Sequence, residues 1–168
     1  MVMKRNVISV LVENHPGVLT RISGLFSRRG YNINSLTVSC TENSGLSRMT
    51  VLCTGDAATV EQIIKQLEKQ EVVKKVMLLD EASASLGDVA IVKMYAENEK
   101  RQPVMDVVNA IGATIINMGE KTITVQITGS YQHVDESLKK LYKLDVAEVA
   151  RTGLVGIAAG DERLIDHE

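Results

Sequence analysis

Two stretches of this chain, TVLCTG at 50–55 and TVQITG at 124–129, share T-V-x-x-T-G and stand at the same point in two successive series of hydrophobic periods. Internal repetition of this kind constrains the fold more than any single residue does. In the first series NVISVLVE (6–13) is β-branched and apolar, and Val18, Ile22, Leu25 and Phe26 then recur at helical spacing up to a stop at Gly30. YNINSLTVSC and SRMTVLCTG read as a hairpin joined by the polar turn TENSGL. A second helix follows, with Ala57, Val60, Ile63, Ile64 and Leu67 on one stripe and Lys65 and Lys69 near its end, and VVKKVMLLD reads as a fourth strand. The order is β-α-β-β-α-β.

The second series repeats it. DVAIVKMYA is a strand, Val104, Val107, Val108 and Ile111 a helix stripe stopped by Gly112, and ATIINMG and KTITVQITG a hairpin. Val134, Leu138 and Leu141 mark the last helix, and VAEVARTGLVGIA closes the unit. The expected fold is therefore α+β: tandem ferredoxin-like (βαββαβ) domains, each an antiparallel sheet with its helices on one face. The expected division is an N-terminal domain at 1–80, a small-residue linker at 81–87, and a second domain at 88–168 ending in a short acidic tail. The two hairpins differ in length, since 25 residues separate Gly30 from Gly55 but only 17 separate Gly112 from Gly129.

In this topology the strand after the first helix lies on the sheet edge. Residues 30–41, GYNINSLTVSCT, hold no charged side chain and no proline, although natural edge strands are normally blocked by charge or covered. Something must cover this edge. A second copy pairing edge to edge across a two-fold axis is the expected solution, and the alternative is the second unit of the same chain. The apolar register also slips from Ile33 to Leu36 and Val38, which predicts a bulge around Asn34 and Ser35.

Composition excludes several functions. One Phe, four Tyr and no Trp leave little aromatic surface for stacking bases, and a net charge of −2 with dispersed Lys and Arg gives no nucleic-acid or membrane footprint. Partners are expected to be proteins or small molecules. Cys40 and Cys53 belong to no C-x-x-C motif and are expected as reduced, buried thiols of a cytoplasmic protein. No apolar run has the length of a membrane span, and the first residues do not read as a signal peptide.

No catalytic or metal site can be assembled. His15, His133 and His167 are unrelated in spacing and read as surface or turn histidines, and no G-x-G-x-x-G or G-x-x-x-x-G-K-[ST] occurs. GLVGIAAG (153–160) reads as a strand end and a loop. The first strand-helix junction, ENHPGV, is different in kind. Asn14 can cap the helix or hydrogen-bond locally, Pro16 suits a first helical turn, and Gly17 leaves the backbone uncovered. Free N–H groups at a helix N-terminus attract an anion, so the carboxylate of a small amino acid fits there. A well-formed helix start also accounts for Asn14 and Pro16.

The long stretch ISVLVENHPGVLTRISGLFSRRGYNINSLTVS, followed by LSRMTV, resembles the N-terminal ACT domain of the small regulatory subunits of acetolactate synthase (acetohydroxyacid synthase). The resemblance continues through VAEVARTGLVGI and leaves out only the first few residues and the tail after Gly160. It implies a chain without chemistry of its own, which activates a large catalytic subunit in branched-chain amino acid biosynthesis, isoleucine included. It also implies feedback inhibition by valine or a related amino acid. No cofactor is expected on this chain; thiamine diphosphate, magnesium and FAD would sit only on the catalytic partner, with valine as the allosteric ligand. Family members are homodimers through paired ACT domains, with the effector between the loop of one chain and the edge strand of the other. Carried over, the effector residues are Asn14, Gly17, Asn32 and Ile33, with the N–H groups of Val18 and Leu19, whereas His15 and Pro16 fall at variable positions and receive no ligand role.

Two other readings stand beside this one. A stand-alone ACT-type amino-acid sensor regulating another protein or transcription would share fold and pocket, although no basic surface or third, DNA-binding domain accompanies them here. A small enzyme on the same fold would need convergent titratable groups that the sequence does not supply. The second unit has AENEKRQP in place of E-N-x-x-G, so a second effector site of the same kind is not expected. Arg151 in ARTG is a candidate contact to the catalytic subunit, and equally a surface residue.

Overall fold

The first strand, β1 (Lys4–Glu13), has Val7 through Val12 buried without a break, so it is covered on both faces. Its even-numbered residues Ile8, Val10 and Val12 join the core beneath the helices, while Val7, Ser9 and Leu11 are buried on the opposite face. The computed structural model describes residues 4–164, so readings that fall on the first three residues and on His167 lie outside the described residues. Beyond β1 come α1 (Val18–Arg28), β2 (Ile33–Cys40), β3 (Leu46–Gly55), α2 (Ala57–Glu68) and β4 (Val73–Leu79). The second series is β5 (Ser85–Tyr95), a 3-10 turn (Asn98–Lys100), α3 (Arg101–Ala110), β6 (Thr114–Met118), β7 (Thr122–Gly129), α4 (Tyr131–Leu141) and β8 (Val146–Arg151), followed by a short β9 (Val155–Ile157).

Both sheets are antiparallel with the same strand order, β2-β3-β1-β4 and β6-β7-β5-β8, as the ferredoxin-like expectation requires. Most of the expected helix stripe residues are buried, Val18, Ile22, Leu25 and Phe26 on α1, Val60, Ile63 and Leu67 on α2, Val104 and Val108 on α3, and Val134, Leu138 and Leu141 on α4, whereas Ile64 and Val107 are half-buried and Ala57, at the first position of α2, is exposed. The repeat extends to the helix ends. At Gly30 and Gly112 the backbone has φ 68° in both cases. The following residues return N–H groups to the last helical turn, Tyr31 to the Phe26 carbonyl and Ala113 to that of Val108. These are Schellman stops that only glycine enters without strain. Phe26 and Tyr31 also meet edge-to-face across the first stop, ring centroids 6.4 Å apart.

The edge strand β2 pairs only with β3 among the described residues, and its register slips between Ile33 and Ser35, where the sequence places a bulge. The extra residue is Asn34, whose Oδ1 accepts from Thr54 Oγ1 at 2.9 Å.

Two boundaries differ from the sequence-based division. Residues 81–87 are not a linker throughout: Asp80 closes a tight turn by accepting from the Ser83 and Ala84 N–H groups, and β5 already begins at Ser85. The compact units are divided between Leu86 and Gly87, and residues 154–164 group with the first unit rather than closing the second. Gly153, at φ 80°, ends the run that begins with β8, and β9 pairs with β5. Leu154 and Leu164 are buried. At Gly156 the backbone comes so close that an added Cβ would lie 2.4 Å from Leu86 Cδ2 and 3.0 Å from Leu79 Cδ1.

Cys53 is buried, and burial raises its thiol pKa, whereas Cys40 is exposed at the end of β2, contrary to the expectation for both. An edge strand covers one side of a residue only. Phe26, 1% exposed beneath the first sheet, is expected to cost about 3–5 kcal/mol when truncated to alanine, measured as a lower urea midpoint with an unchanged slope.

Candidate functional site

The first strand-helix junction is held by the end of β1 and by the hairpin turn between β2 and β3. The Asn14 N–H donates to the Gly45 carbonyl at 2.8 Å, and its side-chain Nδ2 donates to the Ser44 carbonyl at 2.9 Å and to Cys40 Sγ at 3.4 Å. Asn14 therefore ties two loops together and does not cap α1. Its Oδ1 has no donor among the described residues. Gly17 stands at the N-cap with φ 90° and no side-chain cap, and nothing lies within 4 Å of a Cβ built there. The chain needs glycine at this φ, and the space beside it is open.

Behind Gly17 the Val18 N–H folds back toward the His15 carbonyl at 3.4 Å, while those of Leu19 and Thr20 have no backbone acceptor among the described residues. The positive end of α1 is thus presented through Leu19 and Thr20. Thr20 and the 41–45 turn were not legible as site residues. The extra length of the first hairpin was the only trace of that turn. Leu19 is 47% exposed and Val18 is buried, so an aliphatic ligand would meet the former.

Asn32 and Ile33 are elsewhere. Ile33 pairs with Cys53 on β3, toward the start of β1, whereas Cys40 pairs with Ser47 near its end. Asn32 and Asn14 are therefore separated within one chain by about the length of β2, 8 residues or roughly 25 Å. Asn32 is exposed, and Ile33 is half-buried against its own core.

Arg151 is committed inside the second unit. Its Nε and Nη2 donate to Asp88 Oδ2 at 2.9 and 2.6 Å, its guanidinium carbon lies 4.6 Å over the Tyr131 ring, and Nη1 is 3.7 Å from Asp135 Oδ1. Asp88 is fully buried, and its Oδ1 has no hydrogen-bond partner. Removing the arginine would strand a buried carboxylate, so internal pairing accounts for it without an external contact.

No group of three or more His, Cys, Asp or Glu is gathered for a metal among the described residues, and no helix there is long and apolar enough to cross a membrane.

Residues 8–75 fit the model of the AHAS small subunit-like ACT domain, and residues 88–160 fit that of the small subunit of acetolactate synthase. The chain is 38% identical over 159 residues to the probable acetolactate synthase small subunit of Archaeoglobus fulgidus, covering 95% of this chain and 99% of the relative. The chain belongs to the acetolactate synthase small-subunit family. It is also 40% identical to the isozyme 3 small subunit of Salmonella typhimurium, over 94% of this chain and 98% of that one. The crystal structure of the small subunit from Thermotoga maritima superimposes with a TM-score of 0.86 at 34% identity, covering 95% and 99% of the two chains. As an acetolactate synthase small subunit, the chain has an ACT domain carrying the Asn14–Gly17 junction.

The junction also carries a titrating pair. His15 donates from Nδ1 to the Pro16 carbonyl at 3.1 Å and meets Glu13 Oε2 at 3.0 Å through Nε2, while Lys74 bonds Glu13 from the other side. The Pro16 carbonyl and then Glu13 raise the His15 pKa above 6.5; Lys74 and then His15 lower that of Glu13 below 4.5. The His15 contribution is complete below 6.5 and is lost as pH rises through its raised value. The Glu13 contribution is present above 4.5 and is lost as pH falls through its lowered one. Glu13→Gln is expected to lower the His15 midpoint without returning it fully to 6.5, because the Pro16 carbonyl remains; an NMR titration of the imidazole proton measures it.

Proposed function

We propose that this chain is the regulatory subunit of acetolactate synthase, activating a thiamine-diphosphate-dependent catalytic subunit and making it sensitive to feedback by valine or a related amino acid. The observation that carries the reading is the open N-terminus of α1: unpaired Leu19 and Thr20 N–H groups beside the bare Gly17 and the free Oδ1 of Asn14. A carboxylate suits the first, an ammonium the last. Charge-assisted hydrogen bonds of about 1.5–3 kcal/mol each, with about 0.3–1 kcal/mol from the helix end, offset the cost of immobilising a small ligand. The resulting affinity suits a sensor of metabolite concentration.

The same reading makes the chain a homodimer. The outer edge of β2 carries no charge, and an antiparallel partner about a two-fold axis would make an eight-stranded sheet. In such a pairing the start of one β2 lies opposite the end of the other. Asn32 and Ile33 of one copy then approach Cys40, and with it Asn14 of the second copy, closing the distance that separates them within a chain. A ligand held by both copies biases their arrangement, which is how binding would reach the catalytic subunit.

Two variants test this. Gly17→Ala meets no atom but adopts a strained φ, so it is expected to lose about 1 kcal/mol of stability and keep the valine response, whereas Gly17→Asp places a carboxylate in the ligand's place and abolishes it. Calorimetric titration of valine and assays with a catalytic subunit read both, and valine inhibition surviving in Gly17→Asp would show the site misplaced. Val38→Lys puts a charge on the exposed part of β2 and is expected to yield a folded monomer by sedimentation. A dimer that persists would assign the interface elsewhere.

A further inference from the structure

Gly55 pairs with Lys4 in the first sheet and Gly129 with Asp88 in the second, and counting along the central strands from these anchors brings Glu13-Asn14 and Glu97-Asn98 to the same step. Both junctions therefore open with Glu-Asn. Beyond that step they diverge. The first turns at Gly17, the second at Asn98 itself, with φ 48°, through the 3-10 turn into α3 at Arg101. The Arg101 guanidinium donates to the carbonyls of Ala96 at 3.2 Å, Gly119 at 2.8 Å and Glu120 at 3.0 Å, so the protein's own bonds fix this loop.

Between the loop and the residues leading into β8 is a hollow of about 280 Å³ with an almost wholly apolar wall, formed by Tyr95, Pro103, Val104 and Leu144. A wider mouth of about 670 Å³, lined by Glu97, Asn98 and Asp145, shares Tyr95, Glu99, Lys100 and Asp145 with it. Lys100 Nζ lies 3.1 Å from Asp145 Oδ2, both side chains more than half exposed. The Asn98 amide and the Glu99 carboxylate have no side-chain partner among the described residues. One hollow and its mouth thus offer an apolar floor, three carboxylates (Glu97, Glu99 and Asp145), a lysine that Asp145 holds through an exposed ion pair, and a neutral amide that both donates and accepts.

The geometry points to a second amino-acid site in the C-terminal unit, taking a free α-amino acid with an aliphatic side chain. The side chain fills the Pro103–Val104–Leu144 hollow, the ammonium meets Glu99 and Asn98 Oδ1, and the carboxylate meets Asn98 Nδ2 and takes the place of the exposed Asp145 on Lys100. Pro103 has no N–H and that of Arg101 is bonded to the Asn98 carbonyl, which separates the site chemically from the Gly17 junction. Exposed charges make it the weaker and more salt-sensitive of the two. All of its residues lie between Tyr95 and Asp145, so it does not depend on the first site being an effector site.

The test uses the full chain with labelled Val, Leu and Ile methyl groups, titrated by NMR with leucine and with valine. Saturable shifts are expected at Val104 and Leu144, and they persist in Gly17→Asp. Glu99→Lys, a change at an exposed position, is expected to weaken them by about tenfold or more while the Val18 and Leu19 shifts stay as they were. An amine with the leucine side chain but no carboxylate is expected to bind more weakly than leucine. Absent shifts at Val104 and Leu144, an unaffected Glu99→Lys, or equal binding of the amine would each overturn the site, the last by showing only an apolar patch. Failure of the Val18 and Leu19 response alone would count against the first site and leave this one standing.

Discussion

The constraint on which the first unit depends is the burial of β1 on both faces between β3 and β4. Ten residues in unbroken register with β3, from Lys4 opposite Gly55 to Glu13 opposite Leu46, fix where the strand starts and stops. The helices can then cover only one side, and the crossover through α1 carries β2 to the outside of β3. The bare edge and the open helix end are both consequences of that arrangement. Neither could be moved without dismantling the central pair.

The second unit reuses the scaffold with different chemistry at its ends. Helix stops, strand order and core stripe are the same, down to equal φ at Gly30 and Gly112. The junction differs, because Arg101 fastens the loop where the first unit leaves Gly17 uncovered. The pair of buried Asp88 and half-buried Arg151 joins β5 to β8, and the arginine stacks on Tyr131 of α4, a polar connection within the second unit. An acetolactate synthase small subunit therefore holds one frame twice, with divergence concentrated in the loops that can touch other molecules.

Legibility followed the range of the interactions. Helix stripes, glycine stops, the uncharged edge and the bulge near Asn34 were readable because each is written in consecutive residues. The tie from Asn14 to Ser44 and Cys40, the exposure of Cys40, the pairing of Arg151 with Asp88, and the grouping of residues 154–164 with the first unit were not. Each depends on residues that are distant in the chain: 30 residues separate Asn14 from Ser44, and 63 separate Arg151 from Asp88. A spacing rule cannot see such partners. A half-buried arginine and a surface arginine look alike until the carboxylate beneath it is found.

By itself the sequence determined the repeat, the two antiparallel sheets and the positions of their glycine stops, because local backbone preference and periodic burial decide these within a few residues. Only the tertiary structure decided which polar groups of the junction are free. Asn14 spends its donors on a neighbouring loop and keeps its acceptor, Val18 turns inward, and Leu19 and Thr20 are left open. It also decided that Asn14 and Asn32 stand at opposite ends of one sheet, since the direction of β2 against β3, and not its composition, sets which end of the edge lies beside the helix.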